Sequence, residues 1–335
     1  MTPSGATILG PEGARLSADE VAFFREADPF GFILFARNIE TPDQVRRLTA
    51  ELRAAVGREA IVTIDQEGGR VQRLRAPHWR EYLPPLDQVE RAGERAARSL
   101  WITARLIAAE LRDIGINSNC APCLDIAEAK THPFLRNRCL GEDPITVARH
   151  GRAVADGLMA GGVVPVVKHM PGHGRARVDS HLCLPVADVS VEAATKWDFA
   201  PFRALRDLPL GMTAHIVLPD LGPLPATQNK ETIALIRNRI GFAGLLMSDD
   251  LNMEALSGTL ADRTTQAMAA GCDIALHCSG QRKEMEAVVG AAGRLDAAAE
   301  RRAERALAAC QAPEPVDIAA LETELADLLN GSRYV

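Results

Sequence analysis

The chain has 335 residues, 47% of them hydrophobic and 24% charged, which is the usage of a globular protein and not of a disordered or fibrous one. A formal net charge of -6 gives no general attraction to phosphate backbones or anionic lipids, so nucleic acid and membrane surfaces are excluded as expected partners. The first ten residues lack a basic leader region, and no window approaches about 18 consecutive apolar residues, so a cytoplasmic protein is expected.

Short apolar, β-rich runs recur at 7–9, 32–35, 61–65, 116–121, 163–169, 210–216, 244–249 and 273–277. Segments of helical period lie between them at 18–26, 42–56, 89–113, 145–160, 192–205, 231–240 and 261–270. Thr41-Pro42 is the clearest helix start, and glycines at 115 and 161–162 supply helix stops before the next strand. Strands alternating with helices argue for a parallel sheet, and eight of them fit a closed α/β barrel of the TIM type, (β/α)8, better than an open sheet. The expected organisation is one catalytic barrel domain over 1–335, with a C-terminal helical tail at about 316–330. The stretches 73–88 and 119–143 are too long for simple connections and read as working loops on the catalytic face.

Chemistry on a parallel barrel sits at the C-terminal ends of the strands. Four strands here end on charge: Ile61-Val-Thr-Ile-Asp65, the 163–169 run with Lys168 and His169, Met212-Thr-Ala-His215, and Leu245-Leu-Met-Ser-Asp-Asp250. Any one of these could merely mark where solvent begins, but four together point at one mouth. Carboxylates with His and Lys, and no compact His/Cys ligand set, suit proton transfer and sugar hydroxyl recognition more than metal chemistry. The loop from Lys168 to His181 carries Asp179 and His181 two residues apart, so in an extended segment Asp179 can orient the His181 imidazole. Seven cysteines and no leader argue against a disulfide framework, and Cys120 and Cys123 have half-zinc spacing without a second pair to complete a site. No metal and no cofactor are expected.

Four motifs occur in order: Asp65-Gln-Glu-Gly-Gly-Arg-Val-Gln-Arg73, Asn137-Arg-Cys-Leu-Gly-Glu-Asp-Pro144, Lys168-His-x-Pro-Gly-His-Gly-x4-Asp-Ser-His181, and Ser248-Asp-Asp-Leu-x-Met253. Together they resemble the β-N-acetylglucosaminidases of glycoside hydrolase family 3. That resemblance implies a retaining exo-β-N-acetylglucosaminidase of peptidoglycan recycling, releasing N-acetylglucosamine from N-acetylglucosaminyl-1,6-anhydro-N-acetylmuramic acid and its peptide-bearing forms. By matching position, Asp249 is the nucleophile, His181 the acid/base and Asp179 its partner. Asp65, Arg73, Arg138, Lys168 and His169 match groups that hold the sugar of a small muropeptide substrate. Met170, Cys139-Leu140 and the Cys120–Cys123 segment depart from the residues common in the family.

A retaining glycosidase needs one carboxylate to attack the anomeric carbon and an acid to protonate the leaving oxygen. A histidine near its ordinary pKa of about 6.5 can do the second. Since neutral imidazole repels an incoming anion less than a carboxylate does, phosphate is an alternative acceptor to water. Asp250 reads as a structural partner of Asp249, Glu67 as a residue that shapes its loop, and His173 as loop-stabilising, while His215 is open between a substrate contact and a satisfied strand-end histidine. Two other readings remain: a metal hydrolase using His169, His173, His181, His215 and a strand-end Asp as ligands, which a chelator would inactivate, and a muropeptide sensor that binds without turnover.

Overall fold

In the computed structural model, residues 3–178, 180 and 183–329 are described, so Asp179 and His181 lie outside the described residues. Among the described residues, eight parallel strands form the core: β1 (Gly5–Leu9), β2 (Pro29–Leu34), β3 (Ile61–Ile64), β4 (Ser118–Asn119), β5 (Val164–Met170), β6 (Leu210–Thr213), β7 (Leu245–Met247) and β8 (Ala275–His277). They pair in two runs, β8-β1-β2-β3 and β4-β5-β6-β7. The runs are joined on one side by Asn117 N–H donating to Val62 O (3.1 Å) and Cys120 N–H to Ile64 O (2.8 Å). On the other side Met247 bridges Ile274 in parallel, with Ser248 N–H to Ile274 O at 2.9 Å. The ring therefore closes as a (β/α)8 barrel.

Successive strand residues point to opposite faces, and the core divides accordingly. Ile8, Ile33, Ile61, Val166, Met212 and Met247 belong to one buried cluster inside the ring. Leu9, Phe32, Val62 and Ile64 belong to a second, under the helices, and Val167 and Leu246 to a third. Caps set where the helices begin: Thr41 accepts from Gln44 N–H ahead of helix Pro42–Val56, and Asp143 accepts from Ile145 and Thr146 N–H ahead of Pro144–Ala160.

Several boundaries depart from expectation. The expected helix 89–113 is two, Pro85–Ala92 and Ala96–Asp113, because Gly93 takes φ 55° and turns the chain between them. The expected helix 192–205 is likewise two short pieces, Val191–Lys196 and Ala200–Ala204. Helices Arg282–Ala292 and Ala297–Ala308 follow β8, and a last helix, Ile318–Leu328, buries Leu321, Leu325 and Leu328. Arg80 ties that last helix to the barrel by pairing with both Glu110 and Glu322.

Candidate active site

Behind β3 the chain forms a small antiparallel ribbon, Gln66–Gly68 against Val71–Gln72. Gly68 and Gly69 make its turn at φ 111° and 58°, and a Cβ at Gly68 would stand 2.5 Å from Leu83 O. The Gln66 side chain pins the ribbon, accepting from Arg73 N–H (2.9 Å) and Leu74 N–H (3.1 Å), while its backbone exchanges hydrogen bonds with Asn119. The ribbon thus returns Arg73 to Asp65, whose Oδ2 it meets at 3.0 Å.

Lys168, at the end of β5, inserts its ammonium between two carboxylates, 2.8 Å from Asp65 Oδ1 and 2.6 Å from Glu67 Oε1. Glu67 also takes both arms of the Arg138 guanidinium, at 2.9 and 2.8 Å. Burial alone would raise both acids, but Lys168 and Arg73 hold Asp65 well below the usual carboxylate range, and Arg138 and Lys168 pull Glu67 down to about 2. Glu67 therefore does more than shape its loop: it is the buried counter-ion of two cations at the mouth.

Arg138 also donates to Nε2 of His169 at 3.3 Å, and the other ring nitrogen, Nδ1, stands 2.6 Å from Asp125 Oδ2. A guanidinium can only donate and a carboxylate held ionised can only accept, so the ring carries its proton on Nδ1. Asp125 Oδ1 accepts from the backbone of His173 at 2.6 Å. Sequence reasoning missed Asp125: Cys123-Leu-Asp125 reads as the polar end of a strand, and its partner lies 44 residues on. Burial drives His173 down to about 4, so its ring is neutral, and the rings of His169 and His173 lie 5.8 Å apart.

Asp249 stands just past the end of β7, where its Oδ1 accepts from Asp250 N–H at 2.8 Å. Burial opposes its charge, but His215, His169 and that N–H outweigh it and lower the pKa. Its neighbour behaves differently: burial, with the Asp249 charge beside it, pushes Asp250 up to about 6. Asp250 Oδ1 accepts from Asn252 N–H (3.1 Å) and Cys278 N–H (3.3 Å), which ties the ends of β7 and β8 together. His215 is satisfied away from the mouth, with Nδ1 2.8 Å from Thr227 Oγ1 and Nε2 3.0 Å from the Asp250 carbonyl.

Asp65, Arg73, Arg138, Lys168, His169 and Asp249 all line one cavity of about 360 Å³, together with an apolar floor that includes Ile33, Met212 and Leu276. Ser180, buried and flanked by the two undescribed residues 179 and 181, lines the same cavity. Cys120 and Cys123 diverge: Cys120 meets Thr63 (3.4 Å) in the barrel interior, while Cys123 donates to Asp125 Oδ2 (3.3 Å). The half-zinc pair is thus split, but Cys123, Asp125 and His169 bring three ligand atoms within 4.8 Å of one another, a cluster invisible in the spacing.

A barrel whose mouth offers an ionised carboxylate above an apolar floor, ringed by paired donors and acceptors, has the build of a hydrolase for a polyhydroxylated ligand. The family described as glycosyl hydrolase family 3 N terminal domain matches residues 12–309. The beta-hexosaminidase of Pseudomonas aeruginosa (strain LESB58) is 35% identical over 308 residues, covering 90% of this chain and 90% of its own. That of Xylella fastidiosa (strain 9a5c) is 34% identical over 308 residues, covering 86% and 91%. The crystal structure of NagZ from Neisseria gonorrhoeae in complex with N-trifluoroacetyl-D-glucosamine superposes with a TM-score of 0.85 at 29% identity, over 98% of each chain. The chain belongs to glycosyl hydrolase family 3, and it is a glycoside hydrolase.

Proposed function

We propose that this protein is a retaining exo-β-N-acetylglucosaminidase, and that in the cytoplasm it releases N-acetylglucosamine from N-acetylglucosaminyl-1,6-anhydro-N-acetylmuramic acid and its peptide-bearing forms. The observation that carries the reading is that Asp65, Arg73, Lys168, Arg138 and His169, linked by ion pairs and hydrogen bonds through the buried Glu67 behind them, line the same cavity as Asp249. Fixed donors and acceptors on one wall hold the hydroxyls of a single sugar, and Asp249, whose pKa is lowered, is left for its anomeric carbon. The names of the curated relatives and the glucosamine derivative bound by the Neisseria protein support the same sugar.

In this reading Asp249 attacks the anomeric carbon while His181 gives its proton to the leaving oxygen. Water then loses a proton to His181 and releases the sugar with its configuration kept. Asp179 steadies the imidazolium. Lowering of the Asp249 pKa keeps the nucleophile charged, and Asp65 with its two cations holds hydroxyls without becoming a competing acid.

Hydrolysis of the nitrophenyl β-glycosides of N-acetylglucosamine and of glucose, side by side and with and without a chelator, tests it. Preference for the N-acetyl sugar with no chelator effect is the expected result. Activity on neither, with tight muropeptide binding, would replace an enzyme by a sensor. Comparing the anhydro-muramyl disaccharide with di-N-acetylchitobiose then tests the aglycone.

A further inference from the structure

Phe35 follows β2 at the mouth of the barrel, partly buried against the cluster inside the ring, and lines the same cavity as Arg73 and Asp249. Its backbone is fixed. Phe35 N–H donates to Asn38 Oδ1 at 2.9 Å, and Asn38 N–H returns to Phe35 O at 2.9 Å. The buried Asn38 side chain donates in turn to Pro11 O (3.0 Å) and Gly13 O (2.9 Å), which ties this turn to the segment after β1.

Two guanidinium groups lie over the Phe35 ring, those of Arg37 and Arg73, each with Cζ 5.2 Å from the centroid. Arg37 is anchored elsewhere: Nε and Nη2 donate to Pro11 O at 3.1 and 3.0 Å, and Nη2 to Cys278 O at 2.6 Å. Arg73 has no such anchorage. Among the described residues its side chain makes one hydrogen bond, from Nη2 to Asp65 Oδ2 at 3.0 Å, and its Nε–H is buried with no acceptor. A long arginine stem has many rotamers, and one oxygen contact at the tip does not select among them. The centre of an aromatic face is negative, so a ring can cover a guanidinium together with an N–H that finds no oxygen.

We propose that Phe35 is a positioning residue for the sugar, acting through Arg73: its ring fixes the plane of the guanidinium that Asp65 holds at one corner. The inference rests on the sugar-cleaving reading of this cavity. A ring in this place has a different effect from a second carboxylate. A carboxylate would pair bidentately and use up two donors, whereas the ring is neutral and leaves the Nη donors that Asp65 does not take open to hydroxyl oxygens. Arg37, fastened to the carbonyls of Pro11 and Cys278, braces the ring in turn.

Phenylalanines carrying one and then three ring fluorines at position 35 keep the ring and drain its face of negative potential. With the nitrophenyl N-acetylglucosaminide, KM is expected to rise stepwise along that series and to reach roughly 3–30-fold above wild type in Phe35→Leu. A contact made equally to substrate and transition state moves KM alone, so kcat should stay within about 2-fold. Phe35→Tyr, which keeps the ring face, should stay near wild type. A KM that is flat across the fluorinated series, with loss only in Phe35→Leu, makes the ring an apolar filler and overturns the proposal.

In an Arg73→Met background, Phe35→Leu should add less than about 2-fold to KM. Its full cost there would mean that the ring touches the sugar itself, which also overturns the proposal. Urea midpoints of wild type, Phe35→Leu, Arg73→Met and the double variant form a second cycle that needs no substrate, and they should be non-additive. If the chain proves inactive on the sugar, the functional reading fails while this second cycle still decides whether the ring holds Arg73; additive midpoints would show that it does not.

Discussion

Nδ1 of His169 lies 2.6 Å from the Asp125 carboxylate, and this single contact decides which face of the imidazole is offered to the cavity. Asp125 is held ionised there: burial would raise it, but His169 and His173 outweigh that and keep it below the usual carboxylate range. With Nδ1–H spoken for, Nε2 is an acceptor beside Arg138.

Asp125→Asn keeps the shape but can present an N–H to Nδ1, which turns the ring to the opposite tautomer. A charge-assisted hydrogen bond is worth about 1.5–3 kcal/mol, so kcat/KM is expected to fall roughly 10–150-fold with the fold intact. Circular dichroism beside steady-state kinetics checks it; unchanged kinetics would show that His169 needs no orientation.

Glu67→Gln removes the shared counter-ion of Lys168 and Arg138, which are both buried. Breaking a buried pair from one side costs about 3–5 kcal/mol, so the urea midpoint should drop markedly. A midpoint within error of the wild type would mean that the two cations find other partners.

Asp249→Ala should lower turnover on the order of 10³-fold or more, since it removes the carboxylate proposed to attack the anomeric carbon. His181→Ala should cost about 10²–10⁴-fold with a poor leaving group and much less with a nitrophenyl one. Equal losses on both leaving groups would separate His181 from leaving-group protonation.

Acid should destabilise the protein through Glu67. Its folded pKa, about 2, is lower than its ordinary value of 4.5, so its stabilisation is present above pH 4.5 and is lost as pH falls toward 2. Asp250 has the opposite sign: with its pKa raised to about 6, the folded state favours its proton, and that advantage is lost as pH rises through 6. Asp250→Asn keeps an oxygen for the Asn252 and Cys278 N–H groups. It should therefore stabilise the chain relative to wild type by roughly 1–3 kcal/mol at pH 8 and by little at pH 4, as thermal melts at the two pH values would show.

Much of this architecture is readable in the sequence because barrel strands are buried on both faces and appear as short apolar runs, as at Ile61–Ile64 and Val164–Met170. Lys168 and Asp65 stand out for the same reason: a charge that ends an apolar run is conspicuous. What local pattern hides is pairing at long range. Asp125 meets His169 across 44 positions, and Cys139 shares a buried cluster with Cys123 and with Leu135 of helix Pro133–Arg136. The break at Gly93 was hidden as well, since the helical period runs through it unbroken. The helices after β8 are rich in Ala, Arg and Glu and lack a strand behind them to mark their ends.

The ribbon from Gln66 to Gln72 makes one mechanical unit of Asp65 and Arg73, because Asn119 of β4 fastens its first residue and the Gln66 side chain accepts from Arg73 N–H at its other end. Acid and guanidinium cannot drift apart to suit a larger or differently hydroxylated ring; they act as a fixed-gauge caliper. The gauge of that wall is thus set before any ligand arrives, by two amide side chains that stand outside the cavity lining.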